Sequence, residues 1–272
     1  MKKRWKTGAK RLNAVKACAC RLHPQATDAN WRRLVLSLTR RSLTALAAAL
    51  VLSGGALAQN ATTLTEAQAG LVRDTDHVKG DADAPVTFIE YGSVACGHCA
   101  TFQETGYPAV REAIEAGDVR FVFREVITGP PNIAVAGFAL AYCAPDDQYF
   151  EVVDTLFANL GSIVAAMQEG TAQSRYEEIA AGFGFSPEDV TACFSNEDAI
   201  GSVQTANRMA AEDGVRSTPY FIINGDRLIA EQGEAGYVYT VNGAPLTDSD
   251  GEIPANLEAD TFRRIITLYK GG

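Results

Sequence analysis

The sequence has few of the residues that build metal sites, and the apolar run near its N-terminus is too short to span a bilayer. Among 272 residues there are six cysteines and three histidines. Cys96 and Cys99 form a C-x-x-C, but no second pair of cysteines or histidines has similar spacing, and a structural zinc site needs one. The run 43–57 has 15 residues, fewer than the roughly 20 of a membrane-spanning helix. These shortages argue against a zinc protein and against an uncleaved membrane anchor.

Basic residues are scarce after residue 58. Residues 1–58 hold 12 Lys and Arg and one acid, Asp28, which leaves 12 basic and 32 acidic residues in 59–272, a net charge of −20. Such a charge argues against binding to nucleic acid or to anionic membrane surfaces. An acidic, solvated surface is the simplest interpretation.

Residues 1–58 are predicted to be an N-terminal extension that ends in a secretory signal. Arg40-Arg41 precede the apolar run, and Ala56-Leu57-Ala58 supplies an A-x-A cleavage site. We therefore expect export, with cleavage near Ala58. A twin-arginine signal is a weaker alternative. The long basic stretch before Trp31 also leaves open a translation start later than Met1, near Val35 or Leu36.

The first half of the exported chain has the pattern of a βαβ unit. After a polar leader, 59–84, the apolar run Val86–Tyr91 predicts a buried strand, and the alternating run Val119–Phe123 predicts a second. A helix from Cys96 to about Ala116, kinked near Pro108, lies between them. Strand, helix and strand in this order imply a parallel pair. We assign 85–131 to the first part of an α/β domain.

The second half changes from helices back to strands. Residues 132–213 are predicted to be an all-helical insertion, and 214–272 to complete the α/β domain. The expected helices of the insertion are Ile133–Tyr142, Gln148–Asn159, Arg175–Gly182, Pro187–Phe194 and Asp198–Asp213. The expected later elements are the strands Tyr220–Ile223 and Arg227–Ala230, joined by an Asn-Gly turn, and a helix from about Leu257 to Lys270. The stretch 231–254 can add a strand or hairpin, and its role is open.

The motif Cys96-Gly97-His98-Cys99 carries the chemistry. Two cysteines three residues apart on a helix lie on one face, so their sulfur atoms can meet. A cysteine at a helix N-terminus meets free N–H groups and the positive end of the dipole, which favours the thiolate. A thiolate beside a second thiol is suited to thiol–disulfide exchange, and we prefer this interpretation to a zinc half-site.

Taken together, Glu90, Cys96-x-x-Cys99, the helical middle and Ser217-Thr218-Pro219 resemble the DsbA-like thiol–disulfide oxidoreductases of the thioredoxin superfamily. The similarity covers about 85–270. It implies a thioredoxin fold with an inserted all-helical subdomain.

The resemblance also implies roles for single residues. Cys96 is expected to be the exposed nucleophile and Cys99 the buried resolving thiol. Pro219 is expected to be a cis-proline, and Thr218 to lend backbone groups to an extended substrate segment. Glu90 resembles the buried acid beneath the active site. On an apolar strand its carboxyl would be desolvated, its pKa raised, and it could relay a proton to Cys99; the alternative is a surface carboxylate on an edge strand.

Gly97 and His98 lie between the two cysteines. For His98 we expect electrostatic tuning of the site in preference to proton transfer, and a solvated loop residue is the alternative.

Cys143 and Cys193 lie in the helical insertion, 50 residues apart. A structural disulfide is expected, as in some members of the family, and two buried free thiols are the alternative.

The expected function is therefore a periplasmic dithiol oxidase that introduces disulfides into reduced exported proteins. The family would then need a DsbB-like, quinone-coupled membrane protein for reoxidation. No metal or organic cofactor is implied, and we expect a monomer. The alternatives are a disulfide isomerase or reductase, and a non-catalytic, chaperone-like module that binds peptides.

Overall fold

The computed structural model describes residues 70–234 and 236–271. The predicted signal, its cleavage site and the question of the translation start lie outside these residues. The strands are β1 (His77–Lys79), β2 (Val86–Gly92), β3 (Val119–Glu125), β4 (Tyr220–Ile223), β5 (Asp226–Gln232), β6 (Tyr237–Val241), β7 (Ala244–Pro245), β8 (Thr247–Asp248) and β9 (Gly251–Glu252). The helices are α1 (Gly97–Thr105), α2 (Tyr107–Glu115), α3 (Pro131–Cys143), α4 (Tyr149–Glu169), α5 (Ala172–Ala181), α6 (Pro187–Phe194), α7 (Glu197–Glu212) and α8 (Ala259–Lys270).

Seven strands form one mixed sheet in the order β1-β3-β2-β4-β5-β6-β7. Strands β2 and β3 are parallel, as the βαβ pattern predicts, and the other neighbours are antiparallel. Strand β2 lies between β3 and β4, so both of its edges are hydrogen-bonded. This sheet with its helical region confirms the predicted fold class, a thioredoxin fold with a helical insertion.

Helices α3 to α7 lie between β3 and β4 in the chain, where the helical insertion was predicted. The largest difference concerns α4, which we expected to end at Asn159 and which continues to Glu169. Ile163 and Ala166 extend its buried stripe, so the helix gains apolar burial by continuing. It ends at Gly170, whose φ of 75° is the left-handed conformation of a common helix C-cap.

A second difference is in the polar leader, to which the sequence assigned no strand. Residues 77–79 form β1, an edge strand antiparallel to β3. The acid before it, Asp76, accepts hydrogen bonds of 2.8 and 2.7 Å from the Arg124 guanidinium, and both side chains are buried. A bidentate pair of this kind fixes the leader against β3 although its sequence is polar.

The stretch after β4 extends the sheet. Asn224 and Gly225 have φ values of 48° and 91°, the two left-handed residues of a tight hairpin turn. Strand β5 continues beyond the predicted end at Ala230 to pair with β6, and β7 pairs with β6. The open segment 231–254 thus adds two strands to the sheet and the small β8–β9 hairpin.

An aromatic cluster fills the core between β2, α1 and α8. Phe88, Phe102, Phe221 and Phe262 are at most 2% exposed, and the rings of Phe102 and Phe262 are centred 4.8 Å apart. Burial of each such ring contributes about 2–3 kcal/mol, so this cluster fixes α1, and with it the C-x-x-C, against the sheet.

In the described part of the chain, one helical segment, 146–169, is long and apolar enough to cross a membrane. Its buried stripe includes Val152, Leu156 and Leu160, so it packs as a core helix of the insertion.

Candidate functional site: a dithiol at a helix N-terminus

Cys96 is the N-cap residue of α1. Its φ and ψ of −100° and 119° are extended, and its backbone N–H donates to the Ser93 carbonyl at 2.9 Å. The chain leaves β2 at Gly92 and turns through three residues, which places the Cys96 sulfur over the free N–H groups of the first helical turn. No acid occupies that turn, so the positive end of the helix is available to the sulfur.

The surroundings of the Cys96 thiol favour its ionised form. The thiol is partly accessible, and its Sγ lies 3.5 Å from the Thr218 carbonyl oxygen. The Cys96 sulfur accepts hydrogen bonds from the Cys99 thiol, from the Thr218 side chain and from the N–H groups of Cys99 and His98. These bonds lower the pKa of Cys96 to about 5, although burial acts in the opposite direction. At neutral pH Cys96 is therefore a thiolate.

The Cys99 thiol is in the opposite state. Its side chain is fully buried, and burial, together with the hydrogen bond to Cys96, raises the pKa of Cys99 far above that of an ordinary thiol. The pair thus consists of one partly accessible sulfur and one buried sulfur. The roles of nucleophile and resolving thiol stay a prediction.

Glu90 lies in the middle of β2 and is 0% exposed. The alternative of a surface carboxylate on an edge strand is wrong, because β2 is flanked by β3 and β4. Desolvation raises the pKa of Glu90 well above its ordinary value, and the nearby Asp154 and Cys96 charges add to the effect. Its Oε2 accepts a long bond, 3.4 Å, from Gln103, and among the described residues its Oε1 has no hydrogen-bond partner. Burial therefore favours the protonated form of Glu90, which could donate its proton.

The Thr218–Pro219 peptide bond is cis. Together with His98 these two residues line a groove of about 340 Å³ beside Cys96. The other wall is apolar and comes from β5, β6 and the segment before α8, through Leu228, Ile229, Tyr239 and Leu257. Tyr239 was not identified as a site residue from the sequence.

Gly97 and His98 are exposed at the start of α1. A Cβ atom at Gly97 would have nothing within 4 Å, so the surface over the dithiol is open.

Sequence reasoning also missed a hydroxyl network behind the dithiol. The Thr128 and Thr218 hydroxyl oxygens lie 2.6 Å apart, and the Ser93 hydroxyl donates to the Thr128 carbonyl at 3.0 Å. Ser93 is fully buried, and Thr128 follows β3 in a short turn. No local pattern reveals these contacts, since Thr128 and Thr218 are 90 residues apart.

Cys143 and Cys193 are joined by a disulfide, with Cα atoms 6.0 Å apart. The bond connects the last residue of α3 to α6, so it lies within the insertion and outside the dithiol site. A cross-link over 50 residues restricts the unfolded chain.

A larger cavity, of about 590 Å³, lies between the leader, β3 and α7, where Arg73, His77, Glu125 and Asp198 are among its lining residues. Neither Cys96 nor Cys99 lines this cavity. The candidate site is therefore identified by its reactive dithiol and not by the size of the cavity beside it. Within 70–234 and 236–271, no group of three His, Cys, Asp or Glu side chains is arranged to hold a metal ion.

Comparison with known proteins agrees with this geometry. Residues 73–242 match the protein-family model described as Thioredoxin. A Rickettsia conorii protein that is named as a protein-disulfide oxidoreductase is 30% identical over 162 residues, which are 57% of this chain and 55% of the relative. The chain thus spans little more than half the length of this curated relative.

Two solved structures share the fold. Alpha-DsbA1 of Wolbachia pipientis aligns with a TM-score of 0.57 at 20% identity, over 74% of this chain and 94% of that one. A protein-disulfide isomerase from Novosphingobium aromaticivorans aligns with a TM-score of 0.52 at 18% identity, over 61% and 94%. The family match accounts for more than half of the chain, and the chain shares its fold with alpha-DsbA1, so the chain belongs to the thioredoxin family.

Proposed function

We propose that this protein is a periplasmic thiol–disulfide oxidoreductase that introduces disulfides into reduced exported proteins. The observation that carries the proposal is the contrast within the dithiol: Cys96 is accessible with its pKa lowered to about 5, and Cys99 is buried with its pKa raised. A stabilised thiolate favours the reduced pair, and a pair that favours its reduced form oxidises other dithiols. The name of the Rickettsia relative supports the same class of reaction.

The reaction begins with the disulfide form. A substrate thiolate attacks the Cys96 sulfur, the Cys96–Cys99 bond breaks, and a mixed disulfide forms between the substrate and Cys96. Attack falls on Cys96 because Cys99 is 0% exposed. The groove beside Thr218 and Pro219 would hold the substrate segment, whose extended backbone can pair with Thr218.

Cys99 leaves as a sulfur anion in a buried position, where the anion is costly. Burial raises the pKa of Glu90 and so favours its protonated form, and its charge is coupled to that of Cys99. It is suited to supply the proton that turns the leaving sulfur into a thiol, either directly or through one water molecule.

A second substrate thiolate then attacks the substrate sulfur of the mixed disulfide. The substrate leaves with its own disulfide, and Cys96 departs as its stabilised thiolate. Two electrons have moved from the substrate dithiol to the Cys96–Cys99 pair. A DsbB-like, quinone-coupled membrane protein would remove them again.

The reduction potential tests this proposal. Purified protein is equilibrated with defined ratios of reduced and oxidised glutathione, and the oxidised fraction is counted by alkylation and mass spectrometry. We expect a potential well above that of the thioredoxin couple, about −270 mV. A potential at or below that value would refute the oxidase and favour the reductase or isomerase alternative.

The Cys96→Ser variant separates catalysis from peptide binding. It should bind peptides in the groove but oxidise no dithiol. Full function of this variant in the cell envelope would instead support the chaperone-like module.

A further inference from the structure

The turn that follows β3 contacts the active site from behind. Thr128 lies in this turn, and its hydroxyl oxygen is 2.6 Å from the hydroxyl oxygen of Thr218, with either atom able to donate. The carbonyl oxygen of Thr218 in turn lies 3.5 Å from the Cys96 sulfur. A hydrogen bond from the Thr218 side chain is one of the causes that lower the pKa of Cys96. The three side chains therefore form one connected row.

The position of Thr128 is fixed from three directions. Its carbonyl accepts from the Ser93 hydroxyl at 3.0 Å. The preceding Ile127 N–H donates to the Asn207 side chain on α7 at 2.8 Å. The following Gly129 has a φ of 73° and lies so close to the loop before Cys96 that a Cβ atom there would be 2.2 Å from a backbone oxygen. A hydroxyl held in this way has a defined direction.

The number of protons then sets the direction of the hydrogen bonds. A threonine hydroxyl has one proton to donate and two lone pairs that accept. When the Thr218 hydroxyl donates to the Cys96 sulfur, its proton is used, so its contact with Thr128 must be one in which Thr128 donates. Hydrogen bonds in such a row polarise one another, and each strengthens the next by about 10–30%.

We propose that Thr128 is a positioning residue that directs the hydroxyl proton of Thr218 onto the Cys96 thiolate. Its importance for exchange rests on the proposed function, but the hydrogen bond itself does not. The titratable groups that act on the Cys96 sulfur include the Cys99 thiol on α1 and the Glu90 carboxyl on β2, which Asp154 on α4 influences in turn, and the exposed His98 lies on the same helix as Cys99. A substitution at Thr128 alters none of them.

The test is a titration of the reduced protein, in which the ultraviolet absorbance of the thiolate is followed against pH. Thr128→Val removes the hydroxyl at nearly constant volume, and Thr128→Ser keeps it. We expect the valine variant to shift the Cys96 titration upward by about half a pH unit or more, and the serine variant to match the wild type. The equilibrium constant with glutathione should change about threefold towards a more reducing protein, since half a pH unit is about a threefold factor.

Two controls make the result specific. Thr155→Val on α4 removes a hydroxyl that bonds only to the Glu151 carbonyl, and it should leave the titration unchanged. In a Thr218→Val background, Thr128→Val should add nothing, because its effect passes through the Thr218 hydroxyl. If valine prevents folding, Thr128→Ala and the serine variant make the same comparison.

The outcomes separate the two proposals. A low wild-type pKa with an unchanged Thr128→Val titration, or a shift that persists in the Thr218→Val background, would overturn the role of Thr128 alone. A shifted titration together with a reducing wild-type potential would support the role of Thr128 and overturn the oxidase.

Discussion

As the pH rises, the free energy of unfolding of the reduced protein should increase relative to that of the oxidised protein. The Cys96 pKa is about 5 in the folded protein, whereas an ordinary thiol has 9.0. Between these values the unfolded chain still holds the thiol proton and the folded protein does not. The free energy of unfolding of the reduced form therefore rises with pH in this window, and the contribution is lost as the pH falls through about 5. The oxidised form has no Cys96 thiol in either state.

The magnitude follows from the lowered pKa and the exposure. One pH unit corresponds to at most about 1.4 kcal/mol, so a change from about pH 5.5 to about pH 8 has a ceiling of roughly 3.4 kcal/mol. Cys96 is partly accessible, and solvent screening reduces the effect. We expect the difference in unfolding free energy between the two forms to grow by about 2 kcal/mol.

Two other groups act with the opposite sign. The raised pKa of Glu90 contributes stability at low pH that is lost as the pH rises, but it is present in both redox forms and largely cancels in their difference. The raised pKa of Cys99 becomes important only near and above the ordinary thiol value of 9.0, outside the window measured.

The assay is guanidinium unfolding of both forms at several pH values, with the midpoint and slope fitted separately. Mild reduction must leave the Cys143–Cys193 bond intact, which alkylation and mass spectrometry establish. In Cys96→Ser the rise with pH should be absent. A reduced-minus-oxidised difference that stays flat across the window would refute the reasoning, since it would mean that Cys96 titrates alike in the folded and unfolded protein.

Three further predictions concern single features. Glu90→Gln keeps the shape of the side chain but cannot give up a proton, so oxidation of a dithiol peptide should slow at least about tenfold in a stopped-flow assay, and an unchanged rate would exclude the proton transfer. Replacement of both Cys143 and Cys193 by Ala should lower the free energy of guanidinium unfolding by about 4 kcal/mol, and a loss near zero would mean that the bond restrains little. Gly129→Ala should lower the free energy of unfolding by at least about 1–2 kcal/mol because of its left-handed φ of 73°, and by more because the new Cβ atom would clash with a backbone oxygen. Gly117→Ala is the matched control. Gly117 has a φ of 77° and nothing within 4 Å of the added Cβ atom, so this variant should lose less stability.

The features that the sequence predicted well depend on residues that are close together in the chain. The Cys96-x-x-Cys99 spacing and the apolar strand before it place a dithiol at a helix N-terminus without any knowledge of the rest of the fold. The Asn224-Gly225 turn is equally local, because two left-handed residues suffice to define it.

The features that the sequence left open depend on distant contacts. Whether Glu90 is buried follows from the central place of β2, which strand order decides. The contact between Thr128 and Thr218 joins segments 90 residues apart. Strand β1 lies in a polar segment, and the ion pair between Asp76 and Arg124 holds it at the sheet. This tertiary contact cannot be predicted from a hydrophobic pattern.

The order of the cysteines has a consequence for biosynthesis. The four cysteines after residue 58 can pair in three ways. Cys143 is bonded to Cys193, the next cysteine along the polypeptide, and the free Cys96 and Cys99, which the proposed oxidised form would join, are also consecutive. Oxidation in order of emergence therefore produces the native connectivity directly, and no reshuffling of bonds is required.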